Sequence, residues 1–77
     1  MNEKLITAFS TALNIPAEQV TDELSYQGIA QWDSVAHMAL VAELEAAFNV
    51  MLDTDDIIGM SSVSVARTIL AKYGVTF

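Results

Sequence analysis

The sequence has no cysteine, one proline, three glycines and only three cationic residues among its 77. Without cysteine there is no disulfide framework, no thiolate nucleophile and no cysteine-bearing zinc site. Lys4, Arg67 and Lys72 are scattered and form no patch, while ten acidic residues bring the formal net charge to −7. A nucleic-acid backbone requires clustered Lys and Arg, so no nucleic-acid partner is expected. No stretch approaches the ~20 consecutive apolar residues of a membrane span. Met1-Asn2-Glu3-Lys4 opens no basic region followed by an apolar run, so no secretory leader is expected. There is no repeat, low-complexity tract or linker. These absences leave one small acidic domain over residues 1–77, expected to be soluble, cytoplasmic and monomeric. It is too small to enclose a deep pocket for ordinary catalysis.

What is present is apolar side chain at helical spacing, and apolar types make up 53% of the chain. Leu5, Phe9 and Leu13, with Ile6 beside them, form one stripe that predicts a first helix. Asn2 is placed to cap its start, and Asn14-Ile15-Pro16 to end it, because the residue before a proline avoids the α region. From Ala17 to Trp32 the apolar residues Val20, Leu24, Ile29 and Trp32 are too irregularly spaced for one helix. That stretch reads as a long ordered loop pinned by those four side chains, with a short turn at Pro16–Gln19. A loop of this length in so small a domain points to function.

The clearest helix runs from Ser34 to Phe48, free of Gly and Pro, with Leu40, Val41, Leu44 and Phe48 as its buried stripe. At 100° per residue, Val35, Ala39, Ala42, Glu43 and Ala46 fall on the opposite side. That exposed face is small and apolar where a surface helix normally carries charge. Thr54-Asp55-Asp56 reads as a cap followed by two acids, predicting a very short third helix that reaches about Ile58 before Gly59. A last helix is predicted from Ser62 to Tyr73, with Val65 or Ala66, Ile69, Leu70 and Tyr73 as its stripe and Gly74 as its stop. Val50 and Leu52 alternate across Met51, but a lone three-residue strand has no partner, so loop is predicted there. The fold class is all-α: a small bundle of three main helices and one short one.

Chemistry concentrates at Trp32-Asp33-Ser34-Val35, where the long loop meets the best helix. Locally, Asp33 or Ser34 caps the helix by accepting from free backbone N–H groups. A hydroxyl at the positive end of a helix dipole is also where a phosphate is held comfortably. The run Asp33-Ser34-Val35, then Leu40-Val41, Leu44-Glu45 and Phe48, resembles the acyl carrier proteins and related phosphopantetheine-binding domains. Their signature is Asp-Ser followed by an aliphatic residue at the start of the second helix. The resemblance covers nearly the whole chain, including the long loop with Gly28 before the serine and Thr54-Asp55-Asp56 as the short helix. It implies an acyl-carrier-type four-helix bundle with a long loop between helices one and two. It also implies a non-enzyme whose 4'-phosphopantetheine is attached to Ser34 by a phosphopantetheinyl transferase, with Asp33 completing the motif. The thiol missing from the composition then arrives with that group, which holds an acyl cargo as a thioester for acyl-loading and acyl-transfer enzymes of fatty-acid, polyketide or related biosynthesis. An aminoacyl or peptidyl cargo is the alternative.

The resemblance further implies partner docking through Val35, Met38, Ala39, Ala42, Glu43, Glu45 and Ala46 on the second helix and Asp55 and Asp56 on the third. Many fatty-acid carriers have acids where this chain has Ala36 and Ala39, so weaker electrostatic steering is expected here. The cluster of Asp53, Asp55 and Asp56 is expected to replace it in part. Trp32 and His37 also depart from the housekeeping fatty-acid form and point to a specialised carrier.

Two rival readings fare worse, and two stay open. Asp33, Ser34 and His37 contain the residue types of a hydrolytic triad, but one rigid helix rarely meets all three geometries, and nothing here supplies oxyanion donors. His37 reads better as a partly buried helix residue packing near the loop. Asp53-Thr54-Asp55-Asp56 resembles the start of a calcium loop, but Ile57, Ile58 and Ser64 stand where that template needs an acid or amide, glycine and glutamate, so no metal is expected. Among Trp32, Met38, Met51 and Met60, Trp32 is assigned to the core, while Met38 and Met60 fit core or cargo cleft equally. From another class, an unmodified helical interaction module would use the alanine-rich face to dock a partner helix, with Ser34 only a cap.

Overall fold

Asn2 opens the first helix as its spacing predicts, its side-chain oxygen accepting from the backbone N–H of Lys4 at 2.8 Å and of Leu5 at 3.4 Å. In the computed structural model, which describes residues 2–77, helix α1 spans Glu3–Leu13. Helix α2 spans Ser34–Phe48, α3 Thr54–Gly59 and α4 Val63–Lys72, with a single 3-10 turn at Ala17–Gln19. The first helix ends at Leu13, three residues before Pro16, because Asn14 adopts the left-handed conformation (φ 54°) and returns its N–H to the Ser10 carbonyl. Asn49 ends α2 in the same way, at φ 53° with its N–H on the Glu45 carbonyl. Asparagine tolerates this region because its short polar side chain bonds locally.

The core is built from Leu5, Phe9 and Leu13 of α1, Leu40 and Leu44 of α2, Val63 and Leu70 of α4, and Trp32 from the loop, all buried. Helices α1 and α2 make the main interhelical contact. Phe48 is only half-buried and meets Phe77 edge-on, centroids 5.9 Å apart. In α4, Ala66 rather than Val65 is the buried member of the stripe, and Tyr73 lies just beyond the helix as its C-cap. Ser62 is that helix's cap, accepting from Val65 N–H at 3.1 Å. The third helix is capped by Asp53 rather than Thr54: the Asp53 carboxylate accepts from Asp56 N–H at 2.9 Å, which makes Thr54 the first helical residue.

The long loop is ordered by the contacts its pattern predicts and by one it does not reveal. Val20, Leu24 and Trp32 are buried, whereas Ile29 is only partly so. The unforeseen tie is a short antiparallel bridge between Ser25 and Ser62. Tyr26 N–H donates to the Ser61 carbonyl at 2.9 Å, and Val63 N–H to the Leu24 carbonyl at 3.0 Å. Both bonds join the loop to the α3–α4 connection. Arg67 adds an ion pair with Asp22 at 2.6 Å. Gly28 is required by space: a Cβ there would lie 2.5 Å from Ser25 Oγ and 3.0 Å from the Ser25 carbonyl oxygen. The loop thus delivers Trp32 to the core and Asp33 to the start of α2 in a fixed position.

Candidate functional site

Asp33 is extended, with φ −101° and ψ −174°, and its carboxylate accepts from Ala36 N–H at 2.9 Å. Of the two capping residues the sequence offers, Asp33 therefore does the capping. Ser34 is the first helical residue and is exposed, which leaves its hydroxyl free of that structural duty. It sits at the positive end of a 15-residue helix dipole, a favourable place for phosphate oxygens.

One turn further along, His37 joins three parts of the molecule. Trp32 Nε1–H donates to His37 Nδ1 at 3.0 Å, and His37 Nε2 lies 2.8 Å from the Ile57 carbonyl oxygen in α3. Indole nitrogen only donates and a carbonyl only accepts. Those partners fix the neutral tautomer, with its proton on Nε2 donated to Ile57. The imidazole lies nearly parallel to the indole, planes 20° and centroids 6.1 Å apart, and tilts against Tyr26 at a centroid distance of 5.1 Å. With both nitrogens engaged, His37 is not a base for Ser34. It is a structural histidine near the loop, as its pattern predicts.

Between Ser34 and α3 lies a cleft of about 360 Å³, lined by Tyr26, Ser34, His37, Met38, Ile57, Ile58, Met60 and Ser61. Met38 is 56% exposed, and Met60 is buried yet reaches the cleft wall, so the two methionines divide between rim and floor. Trp32 is fully buried and belongs to the core. Met51 is exposed and is not among the cleft-lining residues. Sequence reasoning missed Ile58, which is 76% exposed beside the cleft. On a helix this short, adjacent Ile57 and Ile58 cannot both face the core, but the pattern does not say which one turns outward. Tyr26 and Ser61 were also missed, because the loop pairing that brings them there has no periodic signature.

The expected docking residues separate into two groups. Val35, Ala39, Ala42 and Ala46 are exposed on one side of α2, and Glu43 is half-buried. Helix α2 is apolar on both its core-facing and its outward sides. Glu45, by contrast, is committed internally: its carboxylate accepts from Leu52 N–H at 3.0 Å and holds the α2–α3 connection.

The three acids expected to steer partners at α3 are placed differently from one another. Asp53 is a cap, and only Asp55 is both exposed and without a capping bond. Asp56 is buried at 8% exposure, accepting from Lys72 Nζ at 2.6 Å and from the Tyr73 hydroxyl at 2.5 Å. Those two donors, Lys72 first, hold its carboxyl below the ordinary value of 3.8. The carboxylate in turn raises Lys72 and Tyr73 above theirs. Asp56 is therefore a tie between α3 and the end of α4, not a docking charge. Among the described residues no three His, Asp or Glu side chains are grouped to hold a metal ion, and no helix is long and apolar enough to cross a membrane.

The family model for the phosphopantetheine attachment site matches residues 3–69, a span that contains the whole cleft, Asp33 and Ser34. No curated protein sequence matches the chain significantly.

Proposed function

This chain belongs to the phosphopantetheine attachment-site family, and on that premise we propose that it is an acyl carrier protein whose prosthetic group is joined to Ser34. The observation that carries the assignment is the division of labour at the start of α2. Asp33 takes the cap, which leaves the adjacent Ser34 hydroxyl exposed beside an open cleft. A long substituent on that oxygen extends into solvent or along the cleft without displacing any core side chain.

When bound, the group supplies a terminal thiol on which cargo is held as a thioester. In the loading step Ser34 Oγ attacks the phosphorus next to the pantetheine of coenzyme A. One P–O bond forms and the pyrophosphate P–O bond breaks; adenosine 3',5'-bisphosphate leaves and the hydroxyl proton passes to a base on the transferase. Asp33 holds the first turn so that Ser34 is presented at a fixed angle, and the exposed N-terminal end of α2 favours the phosphodiester charge. The bond-making groups belong to partner enzymes of fatty-acid, polyketide or related biosynthesis. Those partners approach over Val35, Met38, Ala39, Ala42 and Ala46, with Ile58 completing the apolar surface around Ser34. We assign the carrier to the cytoplasm, as a monomer, where coenzyme A and the transferase are available.

Incubating the purified chain with coenzyme A and a broad-specificity phosphopantetheinyl transferase, followed by intact mass, tests the reading. One added phosphopantetheine located by peptide mapping at Ser34 is the expected result. No mass gain would leave the interaction-module reading in its place.

A further inference from the structure

Resting on the carrier reading, we propose that His37 sets which cargo this protein can shelter, by tying α2 to α3 beside Ser34 so that a cargo chain does not enter between them toward the core. Cargo is thereby kept in the surface cleft, which favours short or polar-substituted acyl groups over long alkyl chains.

The closure is visible in three features. His37 stands on α2 one turn beyond Ser34 and bonds across to the Ile57 carbonyl on α3, so the two walls of the cleft are tied together at its inner end. Its other nitrogen is held by Trp32 Nε1–H, so the imidazole cannot swing aside without breaking that bond. Trp32, which holds it, is fully buried in the core, and Met60, at 1% exposure, lines the cleft with it. A chain entering there must part His37 from Ile57, and an imidazole that swings out of its way also leaves the N–H of the fully buried Trp32 unpaired. Each polar group left without a partner lowers the population of the opened state about tenfold or more.

The cleft in front of this barrier has a mixed lining. Met38, Ile57 and Ile58 supply apolar wall, while Tyr26 and Ser61 bring hydroxyls. The first few carbons of a cargo gain contact there, and hydroxyl or carbonyl substituents find hydrogen-bonding neighbours. Further methylenes have only solvent to enter.

The test loads the native chain and the His37→Ala variant with butyryl, octanoyl and dodecanoyl arms from the corresponding coenzyme A thioesters, each confirmed by intact mass. Two quantities are read: the melting temperature, and the rate of thioester cleavage by hydroxylamine. A methylene buried in a domain of this size raises the melting temperature by about 3–6 °C. In the native chain the three forms should melt within about 2 °C of one another and be cleaved at rates that do not fall with chain length. In His37→Ala, the dodecanoyl form should melt well above the butyryl form and be cleaved more slowly. Where His37→Ala does not fold, His37→Leu keeps the bulk but cuts the tie to Ile57, with the same direction expected. Length-dependent melting or protection in the native chain overturns the proposal, as does a flat response in a folded variant. Failure to gain any mass on loading overturns the carrier reading instead, and this inference with it.

Discussion

The Tyr73 hydroxyl donates to the Asp56 carboxylate at 2.5 Å and accepts from Asp53 N–H at 3.1 Å, so one phenol at the end of α4 holds both the cap and the first turn of α3. Lys72 completes the tie on the other carboxylate oxygen. Because α3 forms one wall of the cleft beside Ser34, this network sets the position of a functional surface from the far end of the chain.

Its pH dependence follows from the signs of the shifts. Asp56 has its carboxyl lowered in the fold, so its contribution is complete above 3.8 and is lost as pH falls through the lowered value. Tyr73 and Lys72 are raised, so theirs is complete below 10.0 and 10.5 respectively and is lost as pH rises through their higher folded values. Stability from this network should be level between those limits. In Asp56→Asn both the acid and the alkaline losses should shrink; in Tyr73→Phe the alkaline one should shrink, and the acid one in part, because Lys72 still holds the carboxylate. Melting curves from pH 2 to pH 12 on the three proteins check this; an acid limb unchanged in Asp56→Asn would remove the tie from the account.

The start of α2 separates capping from attachment. Ser34→Ala should abolish mass gain on loading while changing stability by no more than about 0.5 kcal/mol, since the residue is exposed and is not the cap. Asp33→Ala should cost about 1 kcal/mol, or about 4–8 °C in melting temperature, through loss of the bond to Ala36 N–H. Intact mass and thermal melts on the two variants decide it. Loading that survives Ser34→Ala places the attachment elsewhere.

Helix limits and core stripes were legible because they follow from side-chain periodicity and from local caps such as Asn2, Asn14 and Asn49. Ser34 was legible through its neighbours in the motif. What could not be read were relationships that cross the chain. Thr54 reads as a cap as well as Asp53 does until the extended backbone of Asp53 is known. Asp56 reads as a surface charge until α4 brings Lys72 and Tyr73 to it from 16 and 17 residues away. His37 reads as a helix residue, and only the meeting of Trp32, α2 and α3 shows that it bridges all three.

Gly28 offers a steric test of the loop that presents Asp33. A methyl group added there meets both the side chain and the carbonyl of Ser25, the residue paired with Ser62. The hydroxyl can rotate away but the backbone oxygen cannot. Gly28→Ala should therefore cost about 1–3 kcal/mol, and adding Ser25→Ala should recover only part of it. Urea midpoints of the single and double variants measure both, and an unchanged midpoint for Gly28→Ala would mean the loop shifts freely.

Docking on α2 should depend on shape more than on charge. Val35 is 78% exposed, and Ala39, Ala42 and Ala46 continue the same apolar side, so a partner can approach the helix backbone closely. The acids once assigned to steering are largely committed elsewhere: Glu45 to Leu52 N–H, Asp53 to its cap and Asp56 to Lys72. Their side chains are thereby held to this chain's own backbone or to Lys72, which leaves Glu43 and Asp55 as the acids here free to pair directly with a partner. Ala42→Arg places a bulky charge on the contact side without penalising the helix, since arginine is a good helix former. It should reduce transferase kcat/KM by about tenfold or more, the cost of roughly 1.4 kcal/mol of lost complementarity. Glu43→Gln should change it by less than about fivefold, because an ion pair formed with a partner at a residue still reached by solvent contributes about 0–1 kcal/mol. Steady-state kinetics across a salt series separates the two contributions, since only an electrostatic one weakens as ionic strength rises. A larger loss for Glu43→Gln than for Ala42→Arg, together with a steep salt dependence in the native chain, would make docking electrostatic and restore the acidic side chains to that role.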